Sequence, residues 1–305
     1  MSTTIKTVAI AGASGSLGTP ITKALVDAGF TVTAITRPDS KSTFPPGVKV
    51  SQVDYASEES LRTALQGQDA LISTLGSEAL GHQLTLMQAA VAVGVKRILP
   101  SEFGSDSTNP RARGLPVYKP KVQTEELLQR LCEESEGRTT YTVVLNNAFL
   151  DWGIERGFLI DTKNKKYEFI DGGNEYFTTN PLSFVAAGVV AILQRPEATA
   201  NKAIRLQGAR LTQRQFLAIV QKFVGAEGWT VPELDSRQIE KDAYEVLKTN
   251  PGNIPGWVFG MLKLAVYVDG FGGDFGAYHD NDMLGLKQLS EHEVEEVIRN
   301  ACAEN

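Results

Sequence analysis

Residues 7–18 read T-V-A-I-A-G-A-S-G-S-L-G, and this stretch decides how the chain folds. Thr7–Ala11 is a short apolar run that stops at Gly12, further glycines stand at 15 and 18, and residues 17–28 carry apolar side chains at helical spacing. A strand, a glycine turn and a helix in that order bring bare backbone and the positive end of a helix against a pyrophosphate. Gly12, Gly15 and Gly18, with Ser14, Ser16 and Leu17 between them, are therefore the expected cofactor cradle. The spacing G-x-x-G-x-x-G differs from the G-x-G-x-x-G of the simplest dehydrogenases and is nearer that of extended reductases. Without its flanking strand and helix the same cluster would license only a tight turn.

Outward from the cradle, apolar runs alternate with amphipathic segments, the pattern of strand and helix units wound around a parallel sheet. Strands are expected at 7–11, 31–36, 48–53, 70–74, 97–100 and 141–145, with helices at 17–28, 58–65, 83–93 and 120–133. The fold class is α/β, a doubly wound parallel sheet of Rossmann type. Past Asp151 the regularity weakens. A hairpin is expected at Asp171–Gly173, helices at 181–193, 212–224, 236–247 and 290–301, and a strand at 203–206. These predict a smaller α/β C-terminal substrate lobe. Residues 1–153 would form the dinucleotide-binding domain and 154–305 mainly the lobe, with some elements returning to the sheet. Residues 250–256 and 270–276 read as loops, and Trp257, Phe259, Phe271 and Phe275 beside them predict an apolar surface beneath.

The second strand ends T-A-I-T-R. An NAD site carries Asp or Glu there for the ribose 2′-hydroxyl, whereas Arg37 offers a guanidinium to a 2′-phosphate, which favours NADPH over NADH. Lys41 either adds a second charge or is a solvated loop lysine, and Asp39 lies between the two. Asp54 and Tyr55 close the third strand on the adenine side. Thr74, Leu75 and Gly76 follow the fourth strand, where the chain would pass beneath the nicotinamide ribose.

The 305 residues include 30 basic and 36 acidic side chains, a net charge of -6 with no basic stripe, which argues against nucleic acid as a partner. No apolar run is long enough to cross a bilayer, and no cleavage region follows the first apolar segment, so a cytoplasmic protein without a membrane partner is expected. Cys132 and Cys302 stand far apart, and His82, His279 and His292 fit no metal-ligand spacing, so no metal is expected. The partner is a small-molecule substrate, and the chain is a monomer or a homodimer.

The Tyr-x-x-x-Lys pair of classical short-chain enzymes is absent from the helix expected to carry it, since Tyr118 and Lys121 are three apart, not four. G-A-S-G-S-L-G at 12–18, T-R at 36–37, V-K-R-I-L-P-S-E-F-G at 95–104 and N-A-F-L-D-W-G at 147–153 together resemble the isoflavone reductase-like group of the NmrA-like family, atypical short-chain dehydrogenase/reductases, on its fungal side. The resemblance implies NADPH-dependent reduction of a double bond or ring in a small aromatic or polyketide-like secondary metabolite. It places Lys119, in V-Y-K-P-K-V, at the family's catalytic lysine, the proton donor. It also admits two other functions: an NADP(H)-sensing regulator without turnover, and a non-redox isomerase or cyclase.

Gln123 and Pro120 depart from the plant pattern. Pro120 suits the first position of a helix, which predicts an extended Lys119 at the N-cap, where the helix dipole lowers its pKa. Lys121 reads as solvated, and from position alone Lys119 is either a solvated lysine at a loop boundary as well or, desolvated beside a nicotinamide, a proton donor or an electrophilic clamp. Ser101, Glu102 and Phe103 follow the fifth strand near the expected nicotinamide; Glu102 either orients Lys119 or bonds backbone amides. Phe103 and Phe149 are walls for a flat substrate or core residues. Arg111 and Arg113 lie in a loop that is either a lid or simply solvated.

Overall fold

The first 145 residues convert their apolar runs into a regular alternation. In order they form β1 (Thr7–Ala11), α1 (Gly18–Asp27), β2 (Thr31–Thr36), β3 (Lys49–Gln52), α2 (Glu58–Leu65), β4 (Ala70–Ser73), α3 (Gln83–Ala92), β5 (Arg97–Leu99), α4 (Pro110–Arg113), α5 (Lys119–Glu134) and β6 (Thr140–Leu145). The rest gives β7 (Ala148–Phe149), α6 (Leu150–Glu155), β8 (Phe169–Ile170), β9 (Tyr176–Asn180), α7 (Leu182–Gln194), β10 (Lys202–Arg205), β11 (Ala209–Thr212), α8 (Gln213–Val224), β12 (Glu233–Leu234), α9 (Ser236–Thr249), α10 (Ile254–Tyr267), α11 (Asn281–Leu284) and α12 (Glu291–Ala303). The structure is a computed structural model, and it describes residues 4–304.

Two compact units share the chain in alternating segments. One gathers the residues up to Phe103, Pro120–Val144 and Ser183–Ile204; the other gathers Gly104–Lys119, Leu145–Leu182 and the residues from Arg205 onward. The boundary expected after Gly153 falls inside the segment Leu145–Leu182 of the second unit.

In the first unit the strand order is β10-β6-β5-β4-β1-β2-β3, with β1 parallel to β2 and β4, and β4–β5, β5–β6 and β2–β3 also parallel. A parallel sheet covered on both faces calls for continuous apolar strands rather than alternating ones. Accordingly Val8–Ala11 on the interior strand β1 are all buried, and Ala9 and Ala11 share a core cluster with Leu61, Leu65, Leu71, Leu86, Met87 and Leu128. Two polar anchors tie strand ends. Asp69 accepts from the amides of Lys6 and Thr7 at 2.8 and 3.0 Å and from the Lys96 ammonium at 2.6 Å. Buried Arg97 donates to Thr140, Thr142 and Thr199 at 2.8–3.0 Å and to the Pro196 carbonyl, so its desolvated guanidinium is satisfied without a carboxylate.

In the second unit β9 runs antiparallel to β11 and parallel to β7, and β8 pairs in parallel with β12. Phe177, Phe216, Tyr167 and Tyr267 form an edge-to-face cluster at its core, with ring centroids 4.9–6.3 Å apart. Thr212 with Gln215, and Ser290 with Glu293, close capping boxes on α8 and α12.

Two expectations are corrected here. Asp171–Gly173 is a 3-10 turn, not a hairpin, because β8 takes its partner from distant β12. The loop expected over 250–256 ends early, since Ile254 already begins α10: Asn253 caps the Gly256 amide and Pro255 sits in the first turn, where its missing N–H costs nothing. Gly260, which weakens the helical signal in sequence, lets α9 come close, since a Cβ there would lie 3.1 Å from that of Ala243. No helix among the described residues is long and apolar enough to cross a membrane.

Candidate functional site

The glycine turn can be built only from glycine at two of its three positions. Gly12 has φ +82°, and a Cβ there would lie 2.8 Å from the Thr74 carbonyl oxygen; a Cβ on Gly18 would fall 2.1 Å from the carbonyl of Gly12. The Gly15 amide bonds Gly12 across the turn at 2.9 Å. The turn delivers the chain into α1, whose N-terminus has no side-chain cap and no acidic residue in its first turn. The Thr19 amide bonds the Gly15 carbonyl at 2.9 Å and Pro20 has no N–H, so what the helix start offers to the turn is chiefly its partial positive charge.

Beside the turn lies a cavity of about 720 Å3, lined by Gly12 and Ser14, by Thr36 and Arg37 at the end of β2, by Asp54 and Tyr55 after β3, and by Leu75. Arg37 is exposed and its nearest carboxylate, Asp39, stands 3.9 Å away, which leaves the guanidinium free for another anion. The Tyr55 hydroxyl donates to the Ile35 carbonyl at 3.2 Å; burial pushes its pKa up to about 12, with Arg37 opposing, so it stays neutral. Cavity size, open helix end and unspent arginine fit a 2′-phosphorylated dinucleotide.

Lys41 is exposed and outside this lining, where Ser40 and Ser42 take its place. Sequence reading also passed over Glu78 and His82, which line the cavity from a 3-10 turn, Ser77–His82, that Gly76 opens. The His82 ring lies 5.7 Å from that of Tyr55. Nothing periodic marks S-E-A-L-G-H; only its place after β4 points to the cavity.

The turn after β5 is held on three sides. The Ser101 amide donates to Gln83 Oε1 at 2.7 Å, its hydroxyl to the Leu75 carbonyl at 2.8 Å, and Lys121 Nζ to the Glu102 carbonyl at 2.5 Å. Phe103 is buried beside them. Lys121 is thus not the solvated lysine expected. Burial draws its pKa down, with Glu102 opposing.

Lys119 is exposed, and it is not an extended N-cap. The 3-10 turn Pro116–Tyr118 runs straight into α5, so Lys119 already has helical φ -49° and ψ -44° and its amide bonds Pro116. Two residues along a helix is about 200° of rotation, so Lys119 and Lys121 leave opposite sides of α5.

In the second unit, Phe149 is half-buried with its ring 6.2 Å from that of Trp152, and Trp152 continues through Phe158 to Phe259 at 6.2 and 6.0 Å. The Tyr118 hydroxyl donates to Ser105 Oγ at 2.8 Å. Arg111 is not merely solvated: it lies 4.0 Å over the Phe271 ring and donates to the Asp269 carbonyl at 3.3 Å. Arg113 donates to the Ser107 carbonyl at 3.4 Å. His279 meets Gln288 at 2.9 Å, and no metal-holding cluster occurs among the described residues.

The sequence profile of the NmrA-like family matches residues 4–247. The chain is 31% identical over 293 residues to the oxidoreductase poxI of Penicillium oxalicum, covering 93% of this chain and 91% of that one. It is 32% identical over 297 residues to the oxidoreductase aprR of Aspergillus flavus, covering 95% and 97%. Among solved structures, the complex of leucoanthocyanidin reductase with NADPH from Vitis vinifera shares the fold, with a TM-score of 0.78 at 21% identity over 97% of this chain and 99% of that one.

Proposed function

The chain belongs to the NmrA-like family, and from that premise we propose that it is an NADPH-dependent oxidoreductase of the isoflavone reductase type, acting on a small aromatic or polyketide-like secondary metabolite. NADPH, when bound, supplies the hydride that reduces a double bond or ring. Residues 12–18 hold the pyrophosphate at the positive end of α1, and Arg37 pairs with the 2′-phosphate. Asp54 and Tyr55 bound the adenosine end, while Thr74–Gly76 and Ser101–Phe103 shape the nicotinamide end. Lys41 adds charge to the approach. Phe103 and Phe149 are walls for a flat substrate, and Lys119 donates the proton that accompanies the hydride.

One observation carries the reading: an unspent guanidinium lines the cavity at the end of β2, where a carboxylate would serve NADH. Arg37→Ala should weaken NADPH about 10- to 100-fold, the worth of one or two charge-assisted hydrogen bonds, and leave NADH unchanged. Fluorescence titration of both cofactors measures this; equal loss for both rejects the assignment. Lys119→Ala should bind NADPH normally and lose about 100-fold in turnover of a phenolic substrate, the usual weight of a positioned acid. NADPH that binds but is never consumed across a phenolic panel would favour the sensing role. Substrate conversion with NADPH intact would favour an isomerase or cyclase.

A further inference from the structure

Ser40 stands in the wall of the cofactor cavity with Arg37 and Ser42, on the loop that joins β2 to β3. Its amide donates to the Arg37 carbonyl at 3.1 Å, closing a four-residue turn through Pro38 and Asp39. Such a turn holds its first and last Cα atoms within about 7 Å, so a group carried on Ser40 is within reach of the Arg37 side chain. The Ser40 hydroxyl bonds only its neighbour Ser42, at 3.2 Å to the hydroxyl and 3.4 Å from the amide, and no distant part of the fold depends on it.

Arg37 is the one lysine or arginine among the described residues that line this cavity, whereas Asp39, Asp54 and Glu78 bring carboxyl groups to it. Binding of a phosphate there depends on a single guanidinium. A phosphate on Ser40 would add a charge of about -1.5 to -2 and three acceptor oxygens, and would meet Arg37 at an effective concentration on the order of millimolar. It would outcompete the 2′-phosphate of a diffusing cofactor, and its remaining charge would repel that phosphate. The segment is also open to an enzyme: Arg37, Asp39, Lys41 and Ser42 are exposed. In R-P-D-S at 37–40 an arginine precedes the serine by three residues, a charge pattern that an acidic kinase subsite reads.

We propose that Ser40 is a phosphorylation site for a basophilic protein kinase, and that the phosphoserine pairs with Arg37 and excludes NADPH. The Ser40 Oγ bonds to the γ-phosphorus of ATP, the bond from that phosphorus to the departing ADP breaks, and the hydroxyl proton passes to the kinase. This regulation rests on Arg37 as the partner of the 2′-phosphate, and all its residues lie in the first unit.

The full chain with phosphoserine installed at position 40 during synthesis is compared with the unmodified chain by fluorescence titration. NADPH should bind about 10- to 100-fold more weakly, NADH should stay within about threefold, and phosphatase treatment should restore NADPH. The phosphorus-31 signal should titrate below the ordinary second pKa of about 6, and return toward it when Arg37→Ala removes the guanidinium. Incubated with ATP and calmodulin-dependent protein kinase, the unmodified chain should take up phosphate at Ser40, located by mass spectrometry. Saturating NADPH should suppress that labelling, because linkage is reciprocal. Unchanged NADPH affinity in the phosphorylated chain, equal loss for both cofactors, or no label at Ser40 overturns the proposal. With Arg37→Ala still selective against NADPH, those results strike the modification alone; an Arg37→Ala that weakens both cofactors alike strikes the cofactor assignment and the modification with it.

Discussion

Lys121 gives up its hydration to hold one carbonyl, and that carbonyl belongs to the turn that also carries Ser101. Lys121→Met would release the Glu102 carbonyl and loosen the grip of Ser101 on Leu75, which lines the cofactor cavity. The expected result is a Kd for NADPH raised about fivefold, from roughly 1 kcal/mol of lost positioning, with little change in stability because the variant also removes a buried charge. Fluorescence titration beside thermal unfolding reads both. Since burial lowers the folded pKa beneath the ~10.4 of an unfolded lysine, unfolding takes up a proton between the two values. The cost of burying the ammonium therefore falls as pH rises through the folded value, and the parent should gain in melting temperature over Lys121→Met toward about pH 10. The string K-P-K-V marks this helix start in one dimension. Which of its lysines turns inward depends on helical phase, and that phase is set by the 3-10 turn at Pro116–Tyr118, whose residues carry no periodicity.

Between elements, Asp69 joins the beginnings of β1 and β5. Burial alone would raise its pKa, but the Lys96 ammonium and the amides of Thr7 and Lys6 outweigh it and hold the carboxyl below the usual range. A depressed carboxylate contributes stability above its unfolded pKa and loses it as pH falls through the folded value. Asp69→Asn should therefore cost about 1 kcal/mol at neutral pH, after discounting for solvent access, and the gap from the parent should close below about pH 4. Urea titrations at a series of pH values would show it; a gap independent of pH would mean the charge is idle. Elements differ in how openly the sequence declares them. The parallel strands are continuous apolar runs, and β1 and β2 stand at their expected bounds. Helix α10 is concealed by Pro255, Gly256 and Gly260, whose use lies in capping and in contact with α9 rather than in local propensity. The short strands β7, β8 and β12 are two residues each, too brief for any period to register.

For the whole molecule, the decisive fact is the order in which the chain serves its two units. Residues 183–204 complete the first unit, bringing β10 to the edge of its sheet and Thr199 to buried Arg97. A fragment ending at residue 153 therefore lacks an edge strand and part of the shell around a buried cation, which leaves that charge partly unsatisfied. It should show no cooperative thermal transition by circular dichroism and no NADPH binding, although it contains the entire glycine turn and Arg37. A sharp transition in that fragment would make the return of 183–204 dispensable. Sequence periodicity reveals the early repeats but does not say which later elements make this return, because nothing local distinguishes a helix and strand that travel back from ones that stay.

The same alternation bears on inheritance. The chain changes unit at 103/104, 119/120, 144/145, 182/183 and 204/205. A single genetic crossover between relatives must then split at least one unit between two parents, so recombination is a poor route to new combinations here. Divergence by substitution within each segment keeps both units whole, and a deliberate chimera that trades one unit for another needs all five joints made together.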